Sequence, residues 1–499
     1  MVIDVLIVGA GPTGLGLACG LLSVGVETKI IDGAAGPAAT SRALGLQPRG
    51  VEVLDRLGAL GDLPDRAVPI AGTVVRIDGV ERVRLALPTA DILRGRRALV
   101  ISQADIEAQL RSRVAELGGQ VEWRETLLGV EQSGERVVAR LAGGAEIAAR
   151  WLVGCDGAGS IVRKSTGIRL VGRSSPERFL LADVTVRLAA DRHYAGMWTA
   201  AGEGIVAIPL PGNDRWRLMA PHPPDQEGSL PTEAITALLA RRLSRLGAGA
   251  GPIEDVAWTS VFRVHQRLAE SYRDRRVFLA GDAAHISSPT GGQGMNTGLG
   301  DAENLAFKLA LVAAGRASEQ LLDSYEAERR PVAEAVVGAV GGVDKVLGSR
   351  NQMLLFVRDR IVLPLVNRPA VQRRIWQRAS QLSISYHSGP LVPRPNRRYG
   401  TLRCGDRVPD LPCQRMDDTK TRLHAELRGH WVVLNGRNGL AELAQQRLGA
   451  NLVSELYTAD DEHALVVRPD GHLGWHGHPD PVRFGQWLDR VLTGTRNET

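Results

Sequence analysis

Val2-Ile3-Asp4-Val5-Leu6-Ile7-Val8, then Gly9-Ala10-Gly11-Pro12-Thr13-Gly14, then the apolar-dense Leu15 to Leu22, is the stretch whose reading decides the fold. The nearly all-apolar run predicts a buried strand, the glycine-rich segment a tight turn, and the apolar density after it a helix. Glycine at these spacings permits the turn, the close approach of backbone to a pyrophosphate and close helix–strand packing, and the helix N-terminus offers N–H groups to phosphate. Val26 to Ile31 is a second apolar run ending in Asp32, about 20 residues on, where a carboxylate can accept from ribose hydroxyls. The segment is a βαβ unit with buried parallel strands. Its expected dinucleotide contacts are Gly9, Gly11, Pro12, Thr13, Gly14 and Asp32, and this motif alone does not choose FAD over NAD.

Around that unit the chain has 499 residues, 61 Lys+Arg against 55 Asp+Glu, 44% hydrophobic residues and 4 Cys. Two or three domains with ordinary cores are expected. General disorder is excluded by the apolar share, and a disulfide scaffold by the scatter of Cys19, Cys155, Cys404 and Cys413. The net charge of +6 comes mostly from dispersed arginines, and aromatics are only 4%, so no nucleic-acid surface is visible. No apolar run approaches the roughly 20 residues of a spanning helix, and Met1 leads into a strand without a basic leader. A cytoplasmic protein with neither membrane nor nucleic acid as partner is expected.

Further along, Thr73 to Leu87 alternates around Asp78-Gly79, a hairpin signal, and Gln103 to Leu117 returns to helical periodicity. Short strands fill Val121 to Cys155. Residues 176 to 262 are strand-rich, with Phe179 to Leu188, Ile205 to Leu210 and Trp216 to Ala220 reading as an antiparallel sheet interrupted by a helix near 232 to 246. Val277 to Ala280 is again a buried-type strand, followed by a long helix from about Met295 to Ala314 and more helices to about Leu382. Gly389 to Arg403, rich in Pro and Arg, reads as a linker to a last unit with strands at Trp431 to Leu434 and Ala464 to Val467.

Two more constellations carry chemistry: Cys155-Asp156-Gly157-Ala158-Gly159-Ser160 with Arg163, and Gly281-Asp282-Ala283-Ala284-His285 continuing through Pro289 to Gly291-Gly292-Gln293-Gly294-Met295-Asn296. With the first fingerprint, in this order, they make the chain from Met1 to about Pro331 resemble the FAD-dependent aromatic hydroxylases of the para-hydroxybenzoate hydroxylase type (group A flavoprotein monooxygenases). Among these it is most similar to the aromatic polyketide hydroxylases with a thioredoxin-like C-terminal domain. The resemblance implies an α/β fold: an FAD-binding Rossmann-like domain of the GR2 type, an inserted mixed or antiparallel-sheet substrate domain, and a C-terminal thioredoxin-like domain. The expected boundaries are 1–175 for FAD binding, with 70–100 contributing to the substrate domain, 176–275 for substrate, 276–395 for completion of the FAD domain with a helical segment, and 400–499 for the last unit.

The implied cofactor is FAD, with NADPH or NADH as reductant, and the implied reaction is hydroxylation of an aromatic, polycyclic polyketide-type substrate by molecular oxygen through a flavin C4a-hydroperoxide. A homodimer is the expected assembly. Asp282 is placed to accept from the ribityl chain, its alternative being a helix cap. Gly292, Gln293, Gly294, Met295 and Asn296 would aim backbone N–H groups at the pyrimidine end of the flavin, where negative charge of the reduced form is stabilised by a helix N-terminus. Pro289 would wall the reactive edge, its alternative being a plain turn proline. Asp156 would lie near FAD and the nicotinamide route, its alternative being a strand-end turn. Ser41-Arg42, in a segment the resemblance lays against the flavin, gives Arg42 as the one catalytic candidate, stacking on the ring and balancing its charge, its alternative being one of the many surface arginines. Gln103 corresponds to a cofactor-bonding position and Leu127 to a backbone contact with adenine.

Trp198, Ile205, Ala207, Ile208, Met219 and Phe262 are candidate apolar lining for the substrate, or ordinary sheet core. No metal site is expected: His472, His476 and His478 cluster in sequence, but turns flank them. The last unit has no Cys-x-x-Cys pair, so disulfide exchange is not expected. Baeyer–Villiger insertion or epoxidation by the same fold remains open, as does a non-catalytic flavin-binding scaffold; the Trp-x-Trp-x-Ile-Pro signature of halogenases is not present in the sequence.

Overall fold

The computed structural model describes residues 2–38, 43–86, 97–200, 202–223, 230–287, 292–347, 356–458 and 463–494. The first sheet is built on strand Ile3–Val8, whose Val5, Leu6 and Ile7 are fully buried, as a parallel strand covered on both faces must be. Glu146–Gly154 and Thr28–Asp32 pair with it in parallel, and Val277–Leu279 and Val121–Trp123 extend the set outward. Val8 stands opposite both Ile31 and Gly154, and Gly154 opposite Leu279. These strands therefore end level. Gly9–Gly14, Asp32, Cys155–Ser160 and Gly281–Asp282, far apart in sequence, leave the sheet at one carboxyl edge, where open α/β sheets bind their ligands.

Helices α1 (Pro12–Leu22) and α2 (Pro48–Arg56) lie against a central helix, α3 (Gly294–Ala313), with α4 (Asp323–Leu347) beyond it. Small residues set the approach of α1 to α3: a methyl on Gly20 would stand 2.7 Å from the Cβ of Ala306, and one on Gly298 would stand 2.3 Å from Thr13 Oγ1. Helix α3 is buried almost throughout, including Asp301, Glu303, Asn304 and Lys308.

The second sheet is mixed, in the order 285–286, 253–269, 170–186, 215–221, 203–209, 194–200, 72–77, 80–86. All its pairs are antiparallel except Gly72–Ile77 with Tyr194–Ala200. The Asp78-Gly79 hairpin is present, both residues at positive φ (51° and 78°), as a two-residue turn that follows strand twist requires. Helix Thr232–Arg245 covers one face through Ile235, Leu239 and Leu243.

The last unit has a four-stranded sheet in the order 453–456, 431–434, 464–467, 473–477, with the first pair parallel and the others antiparallel, consistent with a thioredoxin-like arrangement. Its helix-covered face joins the principal core: Phe307 of α3 meets Trp431 edge-on with ring centroids 5.7 Å apart. The stretch expected as a linker is bound instead. Leu391 and Val392 are buried, and Trp487 Nε1 donates to the Leu391 carbonyl at 2.9 Å, so apolar side chains among the prolines anchor it.

Candidate active site

The turn Gly9–Gly14 separates its glycines by surroundings. A methyl on Gly9 would stand 2.4 Å from the Cys155 carbonyl oxygen, and one on Gly14 1.9 Å from the Gly9 carbonyl oxygen, whereas one on Gly11 would meet nothing within 4 Å. Helix α1 starts beside that open space with Pro12 in its first turn, no side-chain cap at Gly11 and no acidic residue in the first turn. Asp32 braces the same turn: Ala10 N–H donates to its Oδ2 and Ala34 N–H to its Oδ1, each at 2.8 Å. Gln103 opens helix Gln103–Glu116, and its Nε2 donates to Glu107 Oε1 at 2.7 Å. Burial raises the Glu107 carboxyl above its ordinary value, and the charge of Asp32 adds to the effect. Glu107 is a neighbour that sequence reasoning missed, although its four-residue spacing from Gln103 was a signal. Leu127 is buried at the start of strand Leu127–Ser133.

The second motif is a brace. Asp156 accepts from Ser160 Oγ at 2.5 Å and from the N–H groups of Ile161 and Val162, while Ser160 caps helix Ile161–Ser165 by accepting from Arg163 N–H at 2.9 Å. Arg163, buried, donates to the carbonyls of Ala158 and Ala283 at 3.0 and 2.9 Å. It ties the second motif to the third. Asp282 is solvent-accessible, yet the protein packed around it raises its carboxyl above the ordinary value. Below it, Asp301 of α3 accepts from Gly281 N–H at 3.2 Å, lies 2.7 Å from His285 Nε2, and accepts from Arg329 Nε at 2.8 Å. Burial opposes the Asp301 charge, but Arg329 and His285 outweigh it and hold the carboxyl below its usual range. This Asp301–Arg329 pair was invisible in the sequence.

At the other end of the edge, α3 begins after Gln293 with neither a side-chain cap nor an acid in its first turn. Gly292 sits at φ +60°, a left-handed conformation that favours glycine. Asn296 is a clamp: Oδ1 accepts from Gln47 N–H at 2.9 Å, and Nδ2 donates to the carbonyls of Gly292 at 2.8 Å and Gly45 at 3.4 Å. The loop of Gly292 is thereby held against strand Leu44–Leu46. Gln293, Gly294 and Met295 are partly exposed beside it. Ser41, Arg42, Pro289 and Gly291 lie outside the described residues.

Strand Leu44–Leu46 leads to the second sheet, since Leu44 and Ile208 both pack against one cluster of Ile70, Val100 and Leu210. The six candidate lining residues divide between the two faces of that sheet. Trp198, Ile205 and Ala207 are in the core under helix Thr232–Arg245, the ordinary-core alternative, because alternation along a strand puts them with Leu218 and Ala220. Ile208, Met219 and Phe262 are half-buried on the opposite face. There Phe179 stacks on Phe262 with centroids 5.7 Å apart, and Arg217 forks onto Asp183 at 2.6 and 2.8 Å beside Trp258.

The three C-terminal histidines part company: His472 is buried against Tyr386, His476 lies 3.0 Å from the Arg397 carbonyl through Nε2, and His478 rests on the His463 ring. Among the described residues one carboxylate–imidazole group, Asp55, Asp410 and His424, is close enough for an ion, and Arg422 already bridges both carboxylates. All four cysteines are free and buried; burial pushes the thiols of Cys19, Cys404 and Cys413 up to about 12. Among the described residues no helix is long and apolar enough to cross a membrane.

The edge fits FAD. Two helix N-termini without acids or side-chain caps suit an anionic ligand, open space lies where the Gly11 side chain would be, and the exposed Asp282 stands at the same sheet edge. Comparison with known proteins agrees. The family described as FAD binding domain matches residues 2–340. The chain is 37% identical to 6-methylpretetramide 4-monooxygenase of Streptomyces rimosus over 80% of its own length and 71% of the relative's. It is 33% identical to the 12-dehydrotetracycline 5-monooxygenase/anhydrotetracycline 6-monooxygenase of Streptomyces rimosus subsp. rimosus over 96% of each. The solved structure of OxyS anhydrotetracycline hydroxylase from Streptomyces rimosus superposes with a TM-score of 0.77 at 31% identity, covering 99% of this chain and 100% of the other. With three motifs on one sheet edge, the family match over residues 2–340 and these relatives covering 80% or more of its length, the chain belongs to the FAD-binding domain family of flavin-dependent monooxygenases.

Proposed function

We propose that this monooxygenase hydroxylates an electron-rich, polycyclic aromatic substrate of the polyketide type, consuming NAD(P)H and molecular oxygen. The observation that carries the reading is the half-buried apolar wall of Ile208, Met219, Phe179 and Phe262, which reaches the flavin loop through Leu44. The names of the tetracycline-pathway relatives support the substrate class. Bound FAD supplies the redox chemistry that couples the nicotinamide donor and oxygen to the ring.

The chain supplies the rest. The start of α1 with Gly9, Gly11, Pro12, Thr13 and Gly14 holds the pyrophosphate; Asp32, with Gln103 and Glu107 nearby, receives the ribose, and Leu127 the adenine through its backbone. Asp282 accepts from the ribityl hydroxyls. The N–H groups from Gly292 to Asn296 face the pyrimidine edge and favour negative charge there. In this reading Asn296 spends its side chain on keeping that loop in place, and Asp156 acts by holding its turn beside Gly9. Arg42 balances charge on the ring, and Pro289 walls its edge. The apolar face orients the substrate and excludes water, with the Arg217–Asp183 pair as its polar end. The cytoplasm and a homodimer complete the reading.

Anaerobic stopped-flow with NADPH, with and without polycyclic phenols and quinones, tests it. Loss of oxidised-flavin absorbance should accelerate at least tenfold with one ligand class, and aerobic turnover should add one oxygen atom to the ring of that ligand. A flavin spectrum with no acceleration by any ligand would overturn the substrate class, and a product in which oxygen has entered a carbon–carbon bond would overturn hydroxylation as the reaction.

A further inference from the structure

We propose that the C-terminal unit sets the geometry of the flavin site through one inserted turn, Arg468–His472, with Arg49 and Tyr386 as positioning residues; this rests on the flavin reading above. The turn joins strands Ala464–Val467 and Leu473–Gly477, yet Arg468, Asp470 and His472 are no more than 1% exposed. Hairpin turns ordinarily meet water. This one is wedged among α2, α3 and α4: Arg468 forks onto Glu328 at 2.7 and 2.8 Å, Asn304 Nδ2 donates to Asp470 Oδ2 at 3.0 Å, and Arg49 Nη2 donates to the Asp470 carbonyl at 2.7 Å.

Two routes run from the turn to the cofactor edge. In the first, Arg49 fixes the start of α2, its own N–H donating to the Ser380 carbonyl at 3.1 Å; two residues earlier Gln47 N–H donates to Asn296, which holds Gly292. In the second, the His472 ring lies on Tyr386, centroids 4.2 Å apart, and the Tyr386 hydroxyl accepts from Arg329 Nη1 at 2.9 Å. The same guanidinium donates to the Thr297 carbonyl and to Asp301, which receives Gly281 N–H beside Asp282. One route ends at the flavin loop and the other at the ribityl side. Buried ions are an expensive way to gain strength. What this set supplies is a fixed relation between the Gly292 loop at the start of α3 and the Gly281–Asp282 turn.

The test strips the full-length protein of flavin and titrates FAD back, reading flavin fluorescence for Kd and visible circular dichroism for ring environment. The variants are Arg49→Met and Tyr386→Phe, with Arg447→Met as a control in the exposed Arg447–Asp489 pair of the same unit. Arg49→Met should fold, since Glu52 keeps Arg407 and Glu303 keeps Arg56. Both positioning variants should weaken FAD at least tenfold and alter the visible dichroism, while Arg447→Met stays within twofold of the parent. Cooperative melting with parental Kd and dichroism in both would overturn the proposal; were Arg49→Met not to fold, Tyr386→Phe decides by the same criterion. A parent protein that binds no FAD would overturn the flavin reading itself, a distinct result.

Discussion

Glycines nine, eleven and fourteen share one turn, and their neighbours assign them different work. Gly14→Ala places a methyl 1.9 Å from the Gly9 carbonyl oxygen, and such overpacking against backbone is expected to cost about 3 kcal/mol, read as a lower urea midpoint of the apoprotein. Gly11→Val points its side chain into open space. It should unfold at the parental midpoint yet bind FAD at least a hundredfold more weakly; a normal yellow flavoprotein from Gly11→Val would defeat the assignment of the turn. The spacing of these glycines was legible in the sequence, because the turn is local. Their division of labour was not, since the atoms that crowd Gly9 belong to Cys155 and Asp156 across the sheet.

Helices α2 and α3 meet through a buried fork, Arg56 Nε and Nη2 to Glu303 at 2.6 and 2.8 Å. Glu303→Ala leaves a guanidinium buried without its partner, for an expected loss of about 3–5 kcal/mol, and the double substitution Arg56→Met with Glu303→Met should recover most of it. Urea unfolding of the three proteins measures both. Elements with local causes were read correctly from sequence: strands Trp431–Leu434 and Ala464–Val467, the hairpin at Asp78-Gly79, and the helices after Gly11 and Ser102. The buried polar side chains of α3 were not, because the partners of Asn304 and Asp301, namely Glu328, Asp470 and Arg329, are distant in sequence. Nor was the open face of the second sheet. Alternation identifies two faces of a strand, but only the docking of helix Thr232–Arg245 decides that Trp198 is core and Met219 is wall.

Across the whole molecule the buried ions make stability depend on pH. Burial holds His472 and His424 down to about 4 from an ordinary 6.5, so as pH falls through that interval the unfolded chain takes up the protons first and the folded state loses stability. For Glu52 and Glu328 burial acts upward, but Arg407 and Arg468 outweigh it and hold both carboxyls at about 2 against an ordinary 4.5. Their contribution is present above 4.5 and lost as pH falls towards 2. The urea midpoint should therefore drop from pH 6.5 to 4 and more steeply below 4.5, and a flat profile between 7 and 4 would contradict the burial of the two imidazoles. The second sheet has a consequence of another kind. The chain enters it along Leu170–Val186 and leaves along Ile253–Ala269, with Leu170 paired to Ala269. Everything between is an insertion whose two ends occupy one rung of a ladder. From elsewhere in the chain the hairpin of Gly72–Ile77 and Val80–Ala86 joins it at one edge, against Tyr194–Ala200, and the short strand His285–Ile286 joins it at the other, against Arg267 and Leu268. Insertion and hairpin together form a cassette that evolution, or a protein engineer, can exchange between relatives while the cofactor frame stays in place.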